Sequence, residues 1–245
     1  MKKKSGISQA LSAVSQLQKD VQSHADASRA VVLQRFFKTG KGEYAEGDVF
    51  LGLTVPQSRK IAKKYASALS LKELDSLVKS ANHEERLIAL LILVSQFQEA
   101  TEKEQARIFK LYIKNSKYVN NWDLVDTSAP AIVGGYLLSR DRSVLQKLAT
   151  SKNLWQRRIA MLATFHFIYN GESADTLKIA KLLLKDEHDL IHKAVGWMLR
   201  EMGKRVSEEK LLKFLDQYAA KMPRTMLRYS LEKLPAETRR HYMNK

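Results

Sequence analysis

Apolar residues recur along this chain at spacings of three and four rather than two, the period of a helix that buries one face. With ten Gly and four Pro there is little to interrupt that pattern, and the chain reads as helical throughout. Ile7–Ser23 is a first amphipathic segment and Ser28–Phe37 a second, separated by His24-Ala25-Asp26-Ala27. The stretch Gly40–Asp48 is an extended loop signal. It does not read as a phosphate-cradling P-loop, because position 35 is Arg rather than Gly and no Ser or Thr follows Lys41. Thr54-Val55-Pro56 then opens a further helix, with Pro56 suited to its first turn.

From about residue 70 the helices are expected in pairs, and the second half carries a weak internal period. Arg158-Ile159-Ala160-Met161-Leu162 aligns with Lys193-Ala194-Val195-Gly196-Trp197 at a separation of 35 residues, and the same step lands on Arg228 in one direction and Asp123 in the other. A period of this size is typical of stacked helix pairs of the HEAT kind, in which each repeat buries its apolar face against its neighbours. The expected fold is therefore all-α, a curved superhelical solenoid of HEAT-like repeats, with residues 1–245 forming one domain behind a basic tail at 1–6. Residues one period apart should line one face. Arg158, Lys193 and Arg228 form such a row, and Arg is suited to phosphate by its planar fork.

Charge sharpens the picture. The chain has 42 Lys plus Arg against 26 Asp plus Glu, a net +16 with a pI near 9.8, spread along its length rather than gathered in a tail. A polyanion is the natural partner of such a surface. There is no cysteine, which removes disulfide and thiolate chemistry and fits a reducing compartment, so the cytoplasm is the expected location. The longest apolar run, Leu87–Val94, is far short of the roughly 20 residues a membrane span requires. Nor does the basic start Met1–Gly6 lead into the apolar stretch of a secretory signal. His188 and His192 are four apart on an expected helix, but no third ligand lies nearby, so no metal site is expected. His166 lies in an apolar stretch and reads as a partly buried, satisfied side chain.

The segment richest in chemistry is Tyr118–Pro130. Asn121 is placed to cap a helix beginning at Trp122, and Asp123 and Asp126 then fall in its first turns, where the helix dipole favours the ionised carboxylate. Trp122 and Asp126 are four apart and share a face. Two readings stay open on these residues alone: a functional carboxylate beside an aromatic side chain, or an acidic helix start with Trp122 in the core and a kink at Pro130.

Trp122-Asp123-x-x-Asp126, Trp155-x-x-Arg158 and Gly196-Trp197 occur in the order found in the AlkD-like DNA alkylation repair proteins, and Gly47–Gly52 with Pro56 and Arg59 is similar to members of that family. The resemblance covers roughly residues 30–230. It implies a HEAT-like solenoid that holds double-stranded DNA in its groove and releases cationic alkylated purines by cleaving the N-glycosidic bond, without a cofactor and as a monomer. It further implies Asp126 as the catalytic carboxylate, Trp122 and Trp197 beside the deoxyribose, Arg158 on the backbone, and a base that stays largely stacked. Asn121 departs from the family pattern, which places a second aromatic residue there. The alternatives are a non-catalytic module that binds damaged or branched DNA and a HEAT-type protein scaffold.

Overall fold

The computed structural model describes residues 12–245. The basic tail expected at 1–6 and the first residues of the segment expected from Ile7 lie outside the described residues. Contacts gather into two compact units, Met1–Ile92 and Leu93–Lys245. The described residues form helices and loops, with one isolated bridge between Val49 and Asn82. The architecture is an all-α helical repeat, as the spacing of apolar positions requires.

In the first unit, α1 (Ala13–Ser23), capped by Ser12, buries Leu17 and Val21 and packs on α3 (Val55–Tyr65). The Asp20 carboxylate joins the two helices, accepting from Lys64 Nζ at 2.6 Å and the Tyr65 hydroxyl at 2.9 Å. In chain order α2 (Ala27–Phe36), capped by Asp26, comes between them. Val31, Val32 and Phe36 are exposed, Ala30 and Leu33 are half-buried, and the expected segment Ser28–Phe37 is buried at its end, where Phe37 stacks on Phe50 at 4.9 Å. Thr54 and Gln57 close a capping box at α3, with Pro56 in the first turn as its fixed φ favours.

The loop signal at Gly40–Asp48 resolves into turns whose end is buried. Asp48 accepts from His83 Nδ1 at 2.9 Å and from Arg86, and the His83 ring stacks on Phe50 at 4.2 Å. Glu84 accepts the backbone N–H groups of Leu51, Gly52 and Leu53 at 2.8 to 3.1 Å, satisfying an irregular segment that has no ladder of its own. His83, Glu84 and Arg86 all come from the start of α5 (His83–Glu99), which follows the short α4 (Leu71–Leu77).

The second unit stacks helices in two layers. One contains α7 (Trp122–Ala129), α10 (Leu154–Tyr169), α12 (Asp189–Arg205) and α14 (Arg224–Leu231), each packed against the next. The other contains α9 (Ser143–Ala149), α11 (Ala174–Leu182) and α13 (Glu208–Tyr218); α9 and α11 pack on α10, and α11 and α13 on α12. The helix α6 (Glu102–Lys114) precedes the array, α8 (Gly135–Leu137) follows α7 through a π turn, and α15 (Ala236–Met243) ends the chain.

Two glycines set the closeness of the first layer. A Cβ on Gly134, in the π turn, would lie 2.3 Å from the Ala163 carbonyl oxygen of α10, and one on Gly196 would lie 2.5 Å from the Met226 carbonyl oxygen of α14. Helix backbones approach this nearly only where a side chain is missing. The glycine of the Gly196-Trp197 pair is therefore accounted for by packing.

Candidate functional site

The four helices of the first layer begin at Trp122, Leu154, Asp189 and Arg224, and their fifth residues are Asp126, Arg158, Lys193 and Arg228. The last three are the row expected from the 35-residue period. The first step is shorter, at 32 residues, so the residue equivalent to Arg158 on α7 is Asp126 and not Asp123. The difference lies in the loops, which a constant period does not register.

Asp126 and Arg158 meet. Arg158 Nε donates to Asp126 Oδ1 at 2.8 Å and Nη2 to Oδ2 at 2.6 Å, a two-pronged pair. The remaining arm, Nη1, donates to the Leu190 carbonyl oxygen of α12 at 2.5 Å. One guanidinium thus ties three successive helices together. Arg158 is buried while Asp126 keeps an edge open, their side chains being 6% and 18% exposed. Burial pushes the Asp126 carboxyl above the ordinary carboxylate range, the Arg158 guanidinium pulls it down, and Asp123 adds to the rise.

Local sequence explains how Asp126 is held. Asn121 begins α7, its Oδ1 accepting from the Trp122 N–H at 2.8 Å. At the other end, Pro130 lacks the N–H that would bond the Asp126 carbonyl in an α-helix. The helical run does not end there. It passes through a π turn, Pro130–Gly134, and continues into α8. Below, Tyr112 bonds the Ser128 hydroxyl at 2.9 Å, and burial, reinforced by the Asp126 charge, pushes its phenol up.

The other residues singled out in the sequence occupy different environments. Trp122 on α7 and Trp197 on α12 are half-buried, on the two helices that flank α10, and Trp197 packs on Phe165 of α10 at 5.7 Å between ring centres. Phe165 is the residue the sequence pattern hides, since it sits between Thr164 and His166 in a stretch that reads as core. Lys193 pairs with Asp189 at 2.7 Å on its own helix and Arg228 is exposed, so neither shares the burial of Arg158. His188 caps α12, its Nδ1 accepting from the Leu190 N–H at 3.1 Å, and His192 Nε2 lies 2.5 Å from the Asp186 carbonyl oxygen. Both imidazoles thus hold the loop that carries Leu190 toward Arg158. His166, at half burial, faces the glycines 134 and 135, and desolvation lowers its pKa. The buried amide Nδ2 of Asn121 and the Oδ1 of Asn120 lack hydrogen-bond partners.

A repeat of paired helices with a carboxylate and an arginine at equivalent positions defines an all-α helical-repeat protein with a polar seam across its first layer. The chain belongs to the DNA alkylation repair enzyme family, whose model matches residues 17–234. Among solved structures it is similar to a predicted DNA alkylation repair enzyme from Enterococcus faecalis, at a TM-score of 0.66 and 16% identity, over 87% of this chain and 98% of that one. A search of curated proteins returned no match.

Proposed function

We propose that this chain is a DNA glycosylase that hydrolyses the N-glycosidic bond of cationic alkylated purines, such as 3-methyladenine and 7-methylguanine, in double-stranded DNA. The observation that carries this reading is the Asp126 carboxylate, fixed on both oxygens by Arg158 yet open at one edge, in a chain of net charge +16.

An N3- or N7-alkylated purine already carries positive charge and leaves as a neutral base. It therefore needs no general acid, unlike the paired carboxylates of ordinary glycosidases. What the protein must supply is negative charge beside the sugar as it becomes oxocarbenium-like, and a position for the attacking water. At about 4 Å and an effective dielectric near 20, one carboxylate is worth about 4 kcal/mol. Arg158 cancels part of that field while fixing its direction, so its role is positioning, and the usable share is smaller. Trp122 and Trp197 offer aromatic faces to the same cation. Lys193 and Arg228 would meet phosphate.

The carboxylate already neutralised by Arg158 is also the observation that favours the second reading, a non-catalytic module binding damaged or branched DNA. Incubation with duplex containing 7-methylguanine separates the two: free base and abasic sites are expected, and tight binding without release would leave the binding module.

A further inference from the structure

The layer of the second unit opposite Asp126 carries a groove that the proposed function does not invoke. It lies between α11 and α13, has a volume of about 490 Å³, and is floored by Leu177, Phe214 and Tyr218. Phe214 and Tyr218 pack at 4.8 Å between ring centres, and Phe214 is buried while Leu177 and Tyr218 stay half-open. Lys178 and Lys181 rim it from α11, and Lys210 and Lys213 from α13. No acidic residue lines it. The neighbouring acids are committed elsewhere: Asp175 pairs with Arg142 at 2.7 Å, and Asp216 takes the Tyr242 hydroxyl at 2.9 Å and Lys245 at 3.2 Å. Glu209 does pair with Lys213, but both side chains are more than two-thirds exposed, at 75% and 70%, where such a pair is weak and easily exchanged.

We propose that this groove docks an acidic amphipathic helix of a partner protein, with apolar side chains on the Leu177–Phe214–Tyr218 floor and carboxylates against the lysine rims. Two features of the groove select that partner. Four cations facing one trough call for an anion. An apolar floor between them gives nothing to a phosphate backbone, whereas a helix with apolar residues at i, i+3, i+4 and i+7 fills it. Helices of nine and eleven residues bound the groove, so it spans about 15 Å, room for roughly ten residues of a bound helix. Because α11 and α13 belong to the layer opposite the one bearing Asp126, docking and DNA binding should be compatible.

The test uses a fluorescent peptide of about eleven residues with Leu at helical spacing and Glu elsewhere, a scrambled peptide of the same composition, and duplex DNA, against the intact chain and its Lys178→Glu/Lys213→Glu variant. Saturable binding of the patterned peptide is expected, about tenfold or more weaker for the scrambled one and for the variant. Duplex affinity should change by less than about twofold, since screened surface charges act over about 8 Å. Hydrogen exchange on the intact chain should show peptide-induced protection in α11 and α13. Equal affinity for the scrambled peptide, or protection elsewhere, overturns the proposal. A loss of duplex affinity in the variant as large as its loss of peptide affinity would make the groove a nucleic-acid surface instead.

Discussion

Asp126 and Arg158 stand at the same position on adjacent helices of the first layer, 32 residues apart, and bind each other through both carboxylate oxygens. In most repeat arrays equivalent positions present like chemistry to a common face. Here the first rung is an acid and the next three are bases, so the acid is paired by its neighbour while Lys193 and Arg228 face outward. The pairing gives Asp126 a fixed orientation and costs it part of its field. A catalytic carboxylate and a structural ion pair therefore look alike in this geometry, and variants must separate them.

Asp126→Asn keeps the size of the side chain and removes its charge. Base release from 7-methylguanine duplex should fall about a hundredfold, equivalent to about 3 kcal/mol. The same change leaves Arg158 without a counter-charge but also removes a charge whose burial is unfavourable, so stability at neutral pH should fall by no more than about 1 kcal/mol. The double variant Asp126→Asn/Arg158→Met removes the orphaned cation as well. Its thermal stability should stay near the parent's while excision stays low. Excision restored in the double variant would make the pair purely structural.

Acid should switch the proposed excision off at a higher pH than an ordinary aspartate would. Burial holds the Asp126 carboxyl above its value of about 3.9 in an unfolded chain, so the acid limb of single-turnover excision should lie above that pH. Arg158 lowers the carboxyl, so Arg158→Met should move the limb further up. The stability sign follows. A raised carboxyl favours the native state in its protonated form, and that contribution is lost as pH rises from 3.9 through the folded value. The stability deficit of Arg158→Met should thus grow toward neutral pH, and an unmoved acid limb would show that Asp126 does not set it.

The helical class was legible because it rests on the spacing of apolar residues, which Ile88, Leu124, Ile159 and Val195 obey by lying in the core. The row Arg158, Lys193, Arg228 was legible for the same reason. Its extension to Asp126 was not, because the step there is set by loop lengths, and the period of 35 pointed at Asp123 instead. Pro130 reads as a kink in any local rule; that the chain stays helical there, through a π turn, is not legible from the proline alone. The partnership of Asp126 with Arg158 is a long-range contact between opposite charges in a chain holding 42 bases and 26 acids, and nothing local distinguishes that pair from the others. The groove at α11 and α13 is likewise invisible until two helices distant in sequence are laid side by side.

Gly196→Ala tests the packing under Trp197. The added methyl would meet the Met226 carbonyl oxygen and the Tyr229 Cβ, each at 2.5 Å, and backbone cannot yield as a flexible side chain does. Destabilisation of about 1 to 3 kcal/mol is expected by thermal or denaturant unfolding. A neutral substitution would mean that α12 and α14 are free to separate.

The last prediction uses the contrast between Arg158 and its two repeat-mates. If the first layer neutralises about five phosphates, the logarithm of duplex affinity should fall with the logarithm of salt at a slope near −4.5. Arg228 is exposed, and Lys193 pairs i,i+4 with the half-exposed Asp189, a contact that phosphate can displace, so Lys193→Ala and Arg228→Ala should each flatten the slope by about one. Arg158 is different. Its three donor groups are spent on Asp126 and Leu190, and its charge is already met, so its removal releases few counterions. Arg158→Met should leave the slope within about half a unit of the parent while lowering excision through Asp126. Fluorescence anisotropy across a salt series measures all three variants. If Arg158→Met flattens the slope as much as the other two, the guanidinium leaves Asp126 to grip phosphate when DNA binds, and its place is on the backbone rather than behind the carboxylate.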